Sequence, residues 1–196
     1  MTANSYSDRI VRGNSLEIAE MTAEKGLIET GSHTLLVYND LEAFCEIYTK
    51  YSRAVLPHNE IVVIGTQYET ISNVKNNLRL SDVDVERYLN ERTLFIIDAQ
   101  HGYQGADNHG MWKFAMSLLS SAKKEGRQGV TWFGDAGSFF SFEKIEELMQ
   151  YELSLPQKNE GTLNTVCSYH SKDFEKLTNN LQDILFDHHL KSIVVE

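Results

Sequence analysis

The sequence predicts a three-layer α/β fold: a mainly parallel sheet of about six strands flanked by helices. Three observations carry this reading. Six short segments are rich in β-branched and aromatic residues. Helical stripes separate them at intervals of about 30 residues, the length of a βαβ unit. The first three segments are almost continuously apolar, the pattern of strands covered on both faces.

The elements follow in chain order. A helix around residues 15–25 precedes the first strand, His33–Tyr38 (HTLLVY). Leu41, Phe44, Cys45, Tyr48 and Val55 then recur at helical spacing behind an Asn39 or Asp40 cap, and Pro57 ends that helix. Residues 60–65 (EIVVIG) are the second strand, and a short helix near 84–90 leads into the third, residues 93–98 (TLFIID). Met111, Ala115, Leu118 and Ala122 mark a helix closed by Gly126. The fourth strand is 130–134 (VTWFG), followed by a stripe of Ile145, Leu148, Met149 and Leu155 that stops before Pro156. The fifth strand is 165–170 (TVCSYH). Phe174, Leu177, Leu181, Ile184 and Leu185 form the last stripe, with Ser171 as its cap, and residues 192–195 close the sheet in either direction. Crossovers between parallel strands should be right-handed.

Composition excludes several function classes. The 196 residues carry a net charge of -10, which disfavours broad contact with nucleic acid or anionic lipid. Lys123, Lys124 and Arg127 read as a solvated helix end. No apolar run approaches the roughly 18 residues of a membrane span, and the polar N-terminus lacks a signal-peptide core. A cytoplasmic location is expected. Cys45 and Cys167 cannot build a disulfide framework or a four-cysteine zinc site. His101 and His109, with Asp107 nearby, lack diagnostic metal spacing, and the adjacent His188 and His189 diverge on a helix. No metal and no cofactor are expected.

Open α/β sheets bind ligands outside the carboxyl ends of their strands. That rim offers Tyr38, Tyr68, Tyr103, Trp132, Asp135, Cys167 and Tyr169, with few cations. The turn after the first strand, Asn39 to Phe44, has no glycine or lysine and carries two carboxylates. A phosphate-binding loop needs the opposite, so nucleotide hydrolysis there is improbable and no catalytic residue is assigned. Glu152 falls on an apolar helical face, where a carboxylate is either paired in the core or turned toward a polar cavity. His188 extends the last stripe as a core or edge histidine. Cys167 and His170 point to opposite faces of a strand, which argues against a catalytic dyad. The loop 100–110 has three glycines, and its Tyr103 suits a lid.

The ordered blocks H-T-L-L-V-Y (33–38), P-H-N-E-I-V-V (57–63), residues 89–95 with Tyr103, Gly134-Asp135, L-M-Q-Y-E-L-S-L (148–155) and V-C-S-Y-H-S-K-D-F (166–174) resemble the methanogen/methylotroph DcmR-type sensory (MEDS) domain family. The resemblance implies a RecA/KaiC-like ATPase fold that has lost its Walker A loop. Asp135 then stands where those ATPases hold a metal-associated aspartate. It also maps a characteristic histidine, tyrosine, glutamate and cysteine onto His33, Tyr38, Glu152 and Cys167. It divides the chain into an extension, 1–28, and a sensory domain, 29–196. The function implied is non-catalytic sensing of a small organic, hydrocarbon-derivative-like ligand for signal transduction or transcriptional regulation. Output would pass to a separate signalling protein, with a homo-oligomer as a further expectation. The alternatives are a degenerate ATPase-fold scaffold and an unrecognised hydrolase using Glu152 or Asp135 as base.

Overall fold

The computed structural model describes residues 9–24, 26–99, 108–159 and 161–196, with the side chains of 108 and 109 excepted. Seven strands form one sheet: β1 (Ile10–Gly13), β2 (His33–Tyr38), β3 (Ile61–Thr66), β4 (Leu94–Asp98), β5 (Val130–Asp135), β6 (Leu163–His170) and β7 (Lys191–Val195). Their order is β1-β7-β2-β6-β5-β3-β4, and every pairing is parallel. The helices are α1 (Ser15–Ala23), α2 (Leu41–Val55), α3 (Ile71–Leu80), α4 (Val85–Asn90), α5 (Asn108–Lys124), α6 (Gly137–Ser141), α7 (Ile145–Ser154), α8 (Ser171–Phe174) and α9 (Asn179–His188).

Strand alternation sorts the core into two layers. Leu36 and Tyr38 of β2, Phe133 of β5 and Val166 of β6 pack with α1 to α4 on one face. Leu35, Val37, Cys167 and Tyr169 pack with α6, α7 and α9 on the other. Beside them on that second face, Ile61, Val63 and Trp132 pack with α5. Residues of β2 and β3 are buried throughout, as continuously apolar central strands require.

The structure adds elements to the expected set. The seventh strand, β1, has only two apolar residues and pairs with β7 from Ile10↔Ser192 to Gly13↔Val195. The segment before residue 29 therefore shares the sheet, and Ile18, Ala19, Leu27 and Ile28 share the core. Helix α3 buries only Val74 and Leu78, too narrow a stripe to stand out from its polar sequence. Ser171 opens the short α8, while Thr178 caps α9. The last strand runs parallel to both neighbours.

Asp40 is the cap of α2: its carboxylate accepts the Ala43 N–H at 2.8 Å. It neutralises orphan donors at the helix start, where an anion is favoured. Asp40→Ala should lower unfolding free energy by about 1 kcal/mol in urea titration, whereas Asn39→Ala should leave the midpoint unchanged.

Candidate functional site

Side chains from the carboxyl rim and the sheet interior form two polar groups on opposite faces. The first lies at the rim beside α2. Tyr38 donates to Asp135 Oδ2 at 3.1 Å, and the backbone N–H groups of Gln67 and Gly137 donate to the same carboxyl at 3.3 and 2.9 Å. Burial pushes Asp135 up to about 7, although these three donors pull it the other way. Burial and the adjoining Asp135 likewise push the Tyr38 hydroxyl up. Tyr68 donates to Asp173, which also holds Lys176 Nζ at 2.6 Å. Gly137 permits this closure, since a Cβ there would stand 2.6 Å from the Tyr68 ring.

The second group is buried on the face covered by α7 and α9. His33 opens β2, and Cys167 lies diagonally from it on β6, on the same face. Their Nε2 and Sγ atoms are 3.2 Å apart. The apolar stripe of α7 carries Glu152 inward, where Oε1 accepts the Tyr169 hydroxyl at 2.6 Å. Glu152 Oε2 stands 3.4 Å from His33 Nε2 and 3.4 Å from His189 Nε2. His189 is brought here by backbone geometry: Leu190 N–H donates to the His33 carbonyl at 3.0 Å, and the two rings approach to 4.1 Å.

These four side chains are buried, and their ligand atoms lie within 4.8 Å of one another. Burial, then the neighbouring His189, lowers His33 to about 4, which keeps it neutral near pH 7. Burial alone would raise Glu152, but His189 and His33 hold it below its ordinary value and anionic. Burial and that carboxylate push the Cys167 thiol well up. Two imidazoles, a carboxylate and a cysteine sulfur are the donor set of a transition-metal site.

A cavity of about 20 Å³ adjoins the cluster, slightly more than one water needs. Met111, Trp112, Ala115, Trp132, Phe139 and Tyr151 wall it, and Glu152 and Cys167 supply polar atoms at its edge. The sequence-predicted residues are thus divided. Glu152 and Cys167 line the cavity with Trp132, while His33 and Tyr169 contact them from the strands. Tyr38 and Asp135 bond one another on the opposite face, because strand parity separates them from Cys167 and Trp132. Tyr68 stays at the rim, two-fifths exposed. Tyr103, His101 and Asp107 lie outside the described residues, as does the side chain of His109.

His188 caps the carbonyl of Leu155 at 2.9 Å. Its neighbour His189 is the residue that the sequence search missed. The backbone becomes extended at His189, so its side chain departs from the helical projection. The visible signal was a histidine wedged between an apolar helix and an apolar strand. The expectation of no metal rested on short spacings, whereas these four residues come from four separate places in the chain.

A family model described as MEDS, methanogen/methylotroph, DcmR sensory domain, matches residues 32–189. No curated protein matches the chain. Among solved structures, the uncharacterized protein PH0321 from Pyrococcus horikoshii, solved in complex with an unknown peptide, is similar in fold with a TM-score of 0.63. It is 15% identical, and the alignment covers 90% of this chain and 82% of that one. At that identity the likeness concerns the fold.

Proposed function

The chain belongs to the MEDS family of sensory domains, and on that premise we propose that it is a non-catalytic receptor for a small organic molecule seated beside Glu152 and Cys167. The enclosed aromatic cavity carries this reading. Its walls offer apolar contact, and its Glu152–Cys167 edge offers one charged acceptor and one sulfur, the mixture that fixes a weakly polar guest. Its volume of about 20 Å³ restricts the guest to about one or two heavy atoms unless the walls give way. The side chains of α5 and α7 on its walls connect occupancy to surface helices, so a guest that favours one packing of them shifts a population.

A cytoplasmic receptor of this kind would signal through a separate regulatory protein or through its own oligomer. The peptide reported with PH0321 supports a fold that accepts a polypeptide partner. A KaiC/RecA-type ancestry would have exchanged a phosphate at the start of α2 for the carboxylate of Asp40, which disfavours a nucleotide there. No described helix is long and apolar enough to cross a membrane.

Thermal unfolding tests the reading with short alcohols, amines, carboxylic acids and halocarbons set against nucleotides. A fitting guest at about 100 times its Kd should stabilise the fold by about 2.7 kcal/mol. Ala115→Leu, which fills the cavity from α5, should abolish that shift while the chain stays folded. A shift with ATP and none with small organics would reverse the assignment.

A further inference from the structure

We propose that His33, Glu152, Cys167 and His189 together bind one divalent transition-metal ion of zinc-like character. This goes beyond the receptor reading and does not depend on it. The argument begins with the lone pairs. His189 Nδ1 lies 2.7 Å from the Leu185 carbonyl. A carbonyl only accepts, so this nitrogen must carry a proton. Nε2 of the same ring then faces Glu152 Oε2, 3.4 Å away. Neither atom has a hydrogen-bond partner, and both are buried. A buried carboxylate oxygen needs a positive centre beside it, either a second proton on His189 or a cation held between the two atoms, and His33 Nε2 and Cys167 Sγ supply further donors for the cation.

Three of the six donor separations match a metal centre, and the set spreads over as much as 4.8 Å, so a bound ion would draw the ligands together. Donors bonded at about 2.0–2.1 Å in tetrahedral array lie about 3.4 Å from one another. Glu152 Oε2 is 3.4 Å from each imidazole Nε2, and His33 Nε2 is 3.2 Å from Cys167 Sγ. Two of the four ligands have supporting contacts, whereas His33 Nδ1 is buried without a partner. Leu185 orients His189, and the Tyr169 hydroxyl occupies the other oxygen of Glu152, leaving Oε2 for the ion.

Charge selects the class of ion. One dication, one thiolate and one carboxylate sum to zero, the condition under which a fully buried centre is tolerable. The thiol proton leaves to solvent as the Cys167 sulfur takes the metal. Sulfur and imidazole donors favour zinc, cobalt or ferrous iron over magnesium and calcium, which prefer oxygen. Four protein ligands make a closed centre, of the kind that holds folded elements together. Here it would tie β2, β6, α7 and the C-terminal end of α9.

The test uses the full chain, untagged and purified without chelator, followed by elemental analysis and titration of the metal-depleted chain with cobalt(II). We expect one metal ion per chain, or uptake of one cobalt with tetrahedral visible bands and a thiolate charge-transfer band in the near ultraviolet. Cys167→Ser should remove the near-ultraviolet band, and Tyr169→Phe, which leaves all four ligands, should weaken affinity about tenfold. The wild-type spectrum needs no variant to fold. A folded chain that contains no metal and takes up no cobalt overturns the proposal. So does a charge-transfer band that survives in Cys167→Ser. A bound ion would take up Glu152 Oε2 and Cys167 Sγ and leave the aromatic walls to the guest, whose own test is the ligand shift and its loss in Ala115→Leu.

Discussion

Glu152→Ala should lower the unfolding free energy by about 2–3 kcal/mol, measured by urea titration of the metal-depleted chain. The alanine strips the Tyr169 hydroxyl of its 2.6 Å acceptor and leaves the two histidines facing a void. Each orphaned polar group costs its desolvation, and the cavity adds lost packing. Glu152→Gln makes the argument sharper. Its amide oxygen can keep the Tyr169 bond, and its NH2 group stands opposite His189 Nε2, where it can donate to an unprotonated ring nitrogen. That variant should cost only about 1 kcal/mol in the metal-depleted chain, yet it should not recover metal affinity, because an amide is a poor ligand beside a carboxylate. Equal destabilisation by alanine and glutamine would mean that Glu152 acts by charge alone.

How far the sequence reaches can be judged from particular residues. The stripe of Ile145, Leu148, Met149 and Leu155 placed Glu152 on a buried face, and a carboxylate there needs a reason. The parallel sheet was equally legible, since the apolar runs in β2 and β3 have few other uses. What could not be read was convergence. Whether His33 meets His189 depends on β7 pairing with β2 and on the Leu190 N–H reaching the His33 carbonyl, a contact across more than 150 residues. The rim was expected as one pocket because strand ends gather there. Register divides it: Asp135 follows Phe133 onto the α2 face, while Trp132 and Cys167 turn to the other. β1 was invisible because four residues with two apolar side chains carry little pattern.

The divided rim leads to the second large effect. Across pH 4.5–6.5, Asp135→Asn should change the pH slope of stability by about 2 kcal/mol relative to the unsubstituted chain. Asp135 is raised to about 7 in the folded chain, against about 3.9 when unfolded. Its contribution is therefore complete below pH 4 and is lost as pH rises through 7, because only the folded state holds the proton between those values. His33 runs in the opposite sense. Lowered to about 4 when folded, against about 6.5 when unfolded, it contributes above pH 6.5 and loses that contribution as pH falls through 4. In the metal-depleted chain these two slopes oppose one another and nearly cancel over this window. Asparagine at 135 removes the Asp135 limb, keeps an acceptor for the Gly137 N–H, and exposes the His33 limb, so stability should rise with pH. Urea titrations at pH 4.5, 5.5 and 6.5 read this directly. Parallel profiles for the two proteins would show that Asp135 is ionised throughout, its three donors outweighing its burial. The rim would then present a fixed negative charge rather than a neutral acid, and a guest bearing a carboxylate would be excluded there at every pH in the window.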